Sequence, residues 1–130
     1  MLIVDTSIWI EVLRDASRRG RLEGALAGDE PRLTRFTQME LLMGAAREEQ
    51  WRRLERYLDG QVYVEADRDT WSRAARTFFE LRRAGRPVRS PIDCCIAEIA
   101  IAHEALLLHR DRDFTAIATV RPLRERWLDL

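Results

Sequence analysis

The sequence predicts an α/β domain with a mainly parallel central sheet of four or five short strands and helices on both faces. Three observations carry that expectation. Short, continuously apolar runs such as Leu2-Ile3-Val4 and Ala105-Leu106-Leu107-Leu108 end at polar residues, as strands covered on both faces do. Between them lie longer stretches with apolar residues at helical spacing, so strand and helix alternate from the first residue to near the last. The 130 residues, 46% of them apolar, suit one domain over 1–130 with a real core, and no repeat or linker divides them.

Leu2-Ile3-Val4 is the first strand and Asp5 ends it. Thr6 or Ser7 then caps a helix whose apolar stripe is Ile8, Trp9, Val12 and Leu13. Residues 18–28 form an arginine-rich helix with Leu22, Ala25 and Leu26 inward, and Gly28-Asp29-Glu30-Pro31 turns the chain into a short strand at 32–34. Thr37 is expected to open the next helix. Glu40 then falls in its first turn, either as a capping-box acid or as a carboxylate near a strand end, favoured there by about 0.3–1 kcal/mol. Gly44 inside a helix costs about 1 kcal/mol against alanine, which suggests another backbone packed closely beside it.

Residues 47–58 continue as a helix with Trp51, Leu54 and Leu58 on one side, stopped at Asp59-Gly60, and 62–64 is a strand. Asp67 caps a helix over 68–84 that turns Trp71, Ala74, Ala75, Phe78 and Leu81 inward. Ser90 caps the following helix, Pro91 suits its first position, and Asp93 stands three residues after the cap. Its apolar face runs through Ile92, Ile96, Ala97, Ile99, Ala100 and Ile101. The strand at 105–108 follows, with Asp111 and Asp113 just past its carboxyl end. A short helix around Ile117 and Ala118 and a tail over 119–130 complete the chain.

Composition narrows the function. The 34% charged share and the interruptions at Glu98 and Glu104 leave no apolar run near the roughly 20 residues a membrane span needs. The start, MLIVDTS, has no basic region and meets Asp5 at once, so a cytoplasmic protein without membrane contact is expected. Twenty-two acids balance 22 cations, which gives no global basic footprint for nucleic acid. Every one of those cations is arginine, so mechanisms that need a lysine are excluded while bidentate phosphate grips remain. Cys94 and Cys95 are adjacent, lack metal-ligand spacing and read as buried thiols; His103 and His109 read as structural or solvent-facing.

The acids carry the functional signal. Asp5 and Asp111 end apolar strands, while Glu40 and Asp93 sit near helix starts. Singly, each has a structural explanation as a strand end or cap. Together they can share the carboxyl edge of one parallel sheet, where open α/β sheets bind ligands. Two carboxylates about 4 Å apart repel by roughly 4 kcal/mol at an effective dielectric of 20. A fold that gathers four needs a cation or a raised pKa, and hard oxygen ligands select Mg²⁺ or Mn²⁺. Such a centre suits phosphodiester hydrolysis. Arg82, Arg83, Arg86 and Arg89 lie between 82 and 89 with no acid among them, either as a solvated helix end or as a rim that grips phosphate.

Four segments, LIVDTSIWI, TQMELLMGA, RSPIDCCIAEIA and LLLHRDRDF, are similar to the acidic motifs of PIN-domain ribonucleases, in particular VapC-type toxins of bacterial toxin–antitoxin pairs. The resemblance spans essentially the whole chain and implies a single PIN-like domain. It matches Asp5, Glu40, Asp93 and Asp111 to the family's acidic quartet and Asp113 to an accessory acid; Asp111 is preferred over Asp113 as nearer the strand end. Thr6 and Ser7 match hydroxyls supporting the first acid, and Ser90 one near the third.

The family implies an endoribonuclease dependent on Mg²⁺ or Mn²⁺ that cuts structured RNA, commonly transfer or ribosomal RNA. It also implies a homodimer silenced by a cognate antitoxin, with operator DNA left to that partner. On this reading Asp5, Asp93, Asp111 and Asp113 hold metal, and Glu40 acts through water or as general base. Arg82, Arg86, Arg89 and Arg112 hold the RNA backbone. Trp9, Trp51 and the helices at 7–14 and 37–58 either line a groove for the antitoxin or belong to the core. A phosphoacceptor receiver domain is disfavoured by the missing lysine. A catalytically silent binding subunit that keeps the acidic cluster is the alternative.

Overall fold

The computed structural model describes all 130 residues. Its strands are β1 (Leu2–Val4), β2 (Pro31–Leu33), β3 (Val62–Tyr63), β4 (Leu106–His109) and β5 (Arg124–Trp127), all parallel, in the order β3-β2-β1-β4-β5. Seven α-helices connect them: α1 (Thr6–Arg14), α2 (Arg19–Leu26), α3 (Arg35–Met43), α4 (Glu48–Asp59), α5 (Thr70–Arg83), α6 (Pro91–Ala102) and α7 (Arg112–Ile117). From β1 the chain builds outward through β2 and β3, then returns to lay β4 against the other side of β1. The strand order therefore reverses between β1 and β4, and the crevice at their carboxyl ends is where such sheets take ligands.

The pleat explains how the apolar runs work. Leu2, Val4 and Leu108 face Ile8, Trp9, Val12, Leu41 and Leu58, so α1–α4 cover one face. Ile3 and Leu107 face Ala74, Leu81, Ile96, Ile99, Phe114 and Ile117, so α5–α7 cover the other. Ile3, Leu107 and Leu108 are wholly buried, each worth roughly 1.5–3 kcal/mol by removal from water.

Several local expectations change. Thr34, not Thr37, caps α3, which leaves Glu40 in the second turn rather than the first. Gly44 is the C-terminal cap of α3; a Cβ there would meet only the Leu41 carbonyl at 3.4 Å, so no other backbone packs against it. The chain breaks there, and 37–58 holds parts of two helices. Asp67 lies ahead of α5 and closes the preceding turn, with Oδ1 accepting from Asp69 N and Thr70 Oγ1. The buried face of α5 is Thr70, Ala74, Thr77 and Leu81, while Trp71 stands 53% exposed and Ala75 also faces outward.

The expected tail at 119–130 contains β5, an edge strand in register with all of β4. Its approach is anchored by Glu98, a carboxylate on the buried side of α6. Glu98 Oε1 accepts from Thr77 Oγ1 at 2.7 Å and Arg121 Nε at 2.7 Å, and Oε2 accepts from Arg121 Nη2 at 3.1 Å. No helix is long and apolar enough to cross a membrane.

Candidate active site

Asp5 leaves β1 and is itself the N-cap of α1, a place sequence reasoning gave to Thr6 or Ser7. Its Oδ2 accepts from Ser7 N at 3.0 Å and Ser7 Oγ at 2.6 Å. Ser7 Oγ in turn accepts from Arg110 N at 2.9 Å, which fastens the turn after β4 to the start of α1. Thr6, matched with Ser7 as a support for Asp5, serves Glu40 instead. Its Oγ1 lies 3.0 Å from Glu40 Oε1 and 2.9 Å from Thr37 Oγ1. An ionised carboxylate only accepts, so Thr6 gives its one hydrogen to Glu40 and takes that of Thr37. Glu40 is thus held across the helix interface, not as a capping-box acid.

Asp93 sits in the first turn of α6 behind Pro91. The Ser90 hydroxyl accepts from Ile92 N at 3.2 Å; it caps the helix and makes no bond to the Asp93 carboxylate. Asp111 caps α7, with Oδ1 accepting from Asp113 N at 2.9 Å. One carboxylate oxygen from each of Asp93, Asp111 and Asp113 lies within 4.8 Å of the other two. Both acids of the Asp111–Asp113 pair therefore reach the cluster. Asp5 and Glu40 stand outside that tight trio but share its field.

Burial, followed by the charges of Asp111 and Asp5, pushes Asp93 up to about 8. Burial also raises Asp5 above the usual carboxylate range, with Ser7 opposing and Asp111 adding. Glu40 is raised by burial against the Thr6 hydrogen bond, then by Asp5 and Asp111. The donor set is anionic and all oxygen, and crowding has made it proton-seeking. That chemistry fits a hard divalent cation, with Asp93, Asp111 and Asp113 as the residues to hold it.

The raised acids set a pH signature for the metal-free protein. A carboxyl whose folded pKa exceeds its unfolded value stabilises the fold fully below the unfolded pKa and loses that contribution as pH rises through the folded one. With Asp93 near 8 against an ordinary 3.8, metal-free stability is expected to decline across that interval. Urea denaturation in chelator at several pH values checks this, and saturating Mg²⁺ should flatten the slope.

The arginine rim is uneven. Arg89 leans on the cluster, with Nη2 3.5 Å from Asp111 and Nε 3.8 Å from Asp113. Arg82 stacks over Phe78 and Arg83 over Phe79. Arg86 and Arg112 are exposed. Beside the acids, α1, α3 and α4 enclose a cleft of about 630 Å³ lined by Ile10, Leu13, Leu41, Leu54 and Tyr57 and reaching Glu40. Neither Trp9 nor Trp51 lines it. Trp9 is core, set edge-on to Tyr57, and Trp51 is exposed on α4. Cys94 is buried, and burial pushes its thiol up to about 12, so it stays protonated. His103 is exposed, with Nε2 3.0 Å from the Glu65 carbonyl.

Sequence reasoning missed one pair at the site. His109 is wholly buried and bonds Asp111 N and Glu125, but Glu125 belongs to the strand hidden in the tail.

A family model described as PIN domain matches residues 2–120. Ribonuclease VapC11 of Mycobacterium tuberculosis and VapC ribonuclease Mb1587 of Mycobacterium bovis are each 36% identical over 129 residues, covering 95% of this chain and 96% of the relative. The fold is similar to that of DNA-bound VapBC from Salmonella typhimurium, with TM-score 0.76, 22% identity and coverage of 97% of this chain and 96% of that one. VapBC2 from Rickettsia felis, bound to a promoter DNA fragment, gives TM-score 0.78 at 19% identity, with 98% of each chain covered.

Proposed function

The chain belongs to the PIN-domain family, with VapC ribonucleases among its relatives, and from that premise we propose that it is a metal-dependent endoribonuclease toxin. The observation that carries this reading is the convergence of Asp93, Asp111 and Asp113 within 4.8 Å at the point where the strand order reverses. Mg²⁺ or Mn²⁺ held there would supply Lewis acidity toward the phosphate and would lower the pKa of a water. Asp93, Asp111 and Asp113 hold the ion, and Asp5, fixed by Ser7, completes the negative surface. Glu40 is oriented by Thr6 and has its proton affinity raised by burial, which suits it to take the proton from water attacking phosphorus.

The substrate class is structured RNA, such as transfer or ribosomal RNA. Arg89 lies against the acids and the exposed Arg112 stands between Asp111 and Asp113 in the chain; with exposed Arg82 and Arg86 nearby in sequence to Arg89, they would serve as phosphate grips. The cleft beside Glu40 would take an apolar helix of a cognate antitoxin, whose tail then reaches the acids. Exposed Met39, Trp71 and Phe79 offer apolar surface for a second copy in a homodimer. We place the protein in the cytoplasm, with operator DNA bound by the antitoxin rather than by this chain.

Purified protein incubated with total RNA is expected to give discrete fragments with Mg²⁺ or Mn²⁺ and none after chelation. RNA bound but uncut with either ion would sink the nuclease reading and favour a silent binding subunit.

A further inference from the structure

The turn that delivers Asp111 is held from within the core. His109 ends β4, and its buried ring lies 5.2 Å from Phe114 and 5.8 Å from Trp127 between centroids. Nδ1 accepts from Asp111 N at 3.1 Å, and Nε2 meets Glu125 Oε2 at 2.5 Å. A backbone N–H only donates, so Nδ1 carries no hydrogen and Nε2–H donates to Glu125. Glu125 thus fixes the tautomer, and the tautomer holds the Asp111 amide.

Asp111 passes that constraint on, because its Oδ1 accepts from Asp113 N and sets both acids as one unit. The intervening residue is pinned as well, since Arg110 N donates to the same Ser7 hydroxyl that holds Asp5. Side chains from α1, β4 and β5 therefore fix this short turn.

We infer that His109, oriented by Glu125, is a positioning residue of the acidic centre, setting the turn from which the Asp111 and Asp113 carboxylates converge on Asp93. The role given to the cation rests on the nuclease reading above. His109 is no ligand itself, because both ring nitrogens are engaged and the ring is sealed from the crevice. Leucine would fill the same space between Phe114 and Trp127. It would accept nothing from Asp111.

That difference defines the test: Mn²⁺ affinity by calorimetry on the full chain, with the thermal midpoint of each variant measured alongside. His109→Asn keeps an oxygen able to accept the N–H two residues on, as in an Asx turn. His109→Gln reaches only towards Glu125, and His109→Leu only fills space. Mn²⁺ affinity is expected to stay within about threefold of wild type in His109→Asn and to fall by about 10–100-fold in the other two, the usual loss when a ligand's orienting partner is removed. Thermal midpoints should follow a different order, with the leucine variant the most stable of the three, because its side chain buries no polar group.

Glu125, partly exposed on the edge strand, gives a second arm in which the His109 side chain itself is kept. Glu125→Gln keeps an acceptor and should bind Mn²⁺ like wild type, whereas Glu125→Met should weaken binding as His109→Leu does. Wild-type affinity in both His109→Leu and Glu125→Met would overturn the inference alone, as would affinities that merely track the thermal midpoints. No Mn²⁺ binding by wild type would overturn the nuclease reading and this inference with it.

Discussion

Asp93→Asn is expected to abolish RNA cleavage and, in the same protein, to stabilise the metal-free fold. The two effects share one cause. Asp93 is crowded by Asp111 and Asp5, and its carboxyl lies within 4.8 Å of that of Asp113. Asparagine keeps the shape but removes the charge. With one anionic ligand of the trio gone, cleavage should fall by at least about 10³-fold, or about 4 kcal/mol of transition-state stabilisation.

Without metal the charge is a burden. Ionised Asp93 is repelled by its neighbours, and protonated Asp93 has had to take up a proton that the unfolded chain releases. Two carboxylates about 4 Å apart cost roughly 4 kcal/mol at an effective dielectric of 20, and the open crevice screens part of that. A net gain of about 1–3 kcal/mol near pH 8 follows, which raises the midpoint by about 3–5 °C per kcal/mol in a chain of this size. The gain should fade towards acid pH, where the unfolded carboxyl also protonates. Mg²⁺ should reverse the ranking, because an ion that binds only the folded wild type stabilises it by mass action. Cleavage at the wild-type rate would remove Asp93 from the catalytic centre. A metal-free midpoint below wild type would end the account of crowded charge.

Much of this site was legible in the sequence because its acids sit at punctuation marks. Asp5 and Asp111 each follow a short apolar run, and Asp93 follows a Ser-Pro helix start, so their places in the chain allow all three to share one sheet edge, and the family resemblance singled them out. What stayed hidden depended on partners far away in the chain. Thr34 and Thr37 can each cap a helix, and only the fold shows Thr37 occupied with Thr6 while Thr34 starts α3. That displacement moved Glu40 out of the first turn without moving it from the site.

The tail concealed more. Arg124-Glu125-Arg126-Trp127 has no alternation of apolar and polar residues. It is an edge strand whose charged side chains blunt further pairing, so the usual strand signal is missing. His109 could not be read as a positioning residue while the strand bearing Glu125 was invisible. The family resemblance did not help there, because its motifs end at the acids.

Arg121→Met is expected to be strongly destabilising although it lies away from the acidic site. Glu98 is 1% exposed, and Arg121 supplies two of its three hydrogen bonds, the third coming from Thr77. Removing one partner of a buried pair leaves an uncompensated charge, which typically costs 3–5 kcal/mol. Arg121 keeps about a third of its side chain in solvent, so the expected loss is roughly 2–4 kcal/mol, read from urea denaturation. The damage should spread to β5, because Arg121 anchors the segment that leads into Arg124 and Glu125. Combining it with Glu98→Leu should recover most of the loss, since two apolar side chains in place of a buried ion pair are often neutral or stabilising. Single effects that simply add in the double variant would show the two residues to be uncoupled, and the anchoring role of the pair would then be wrong.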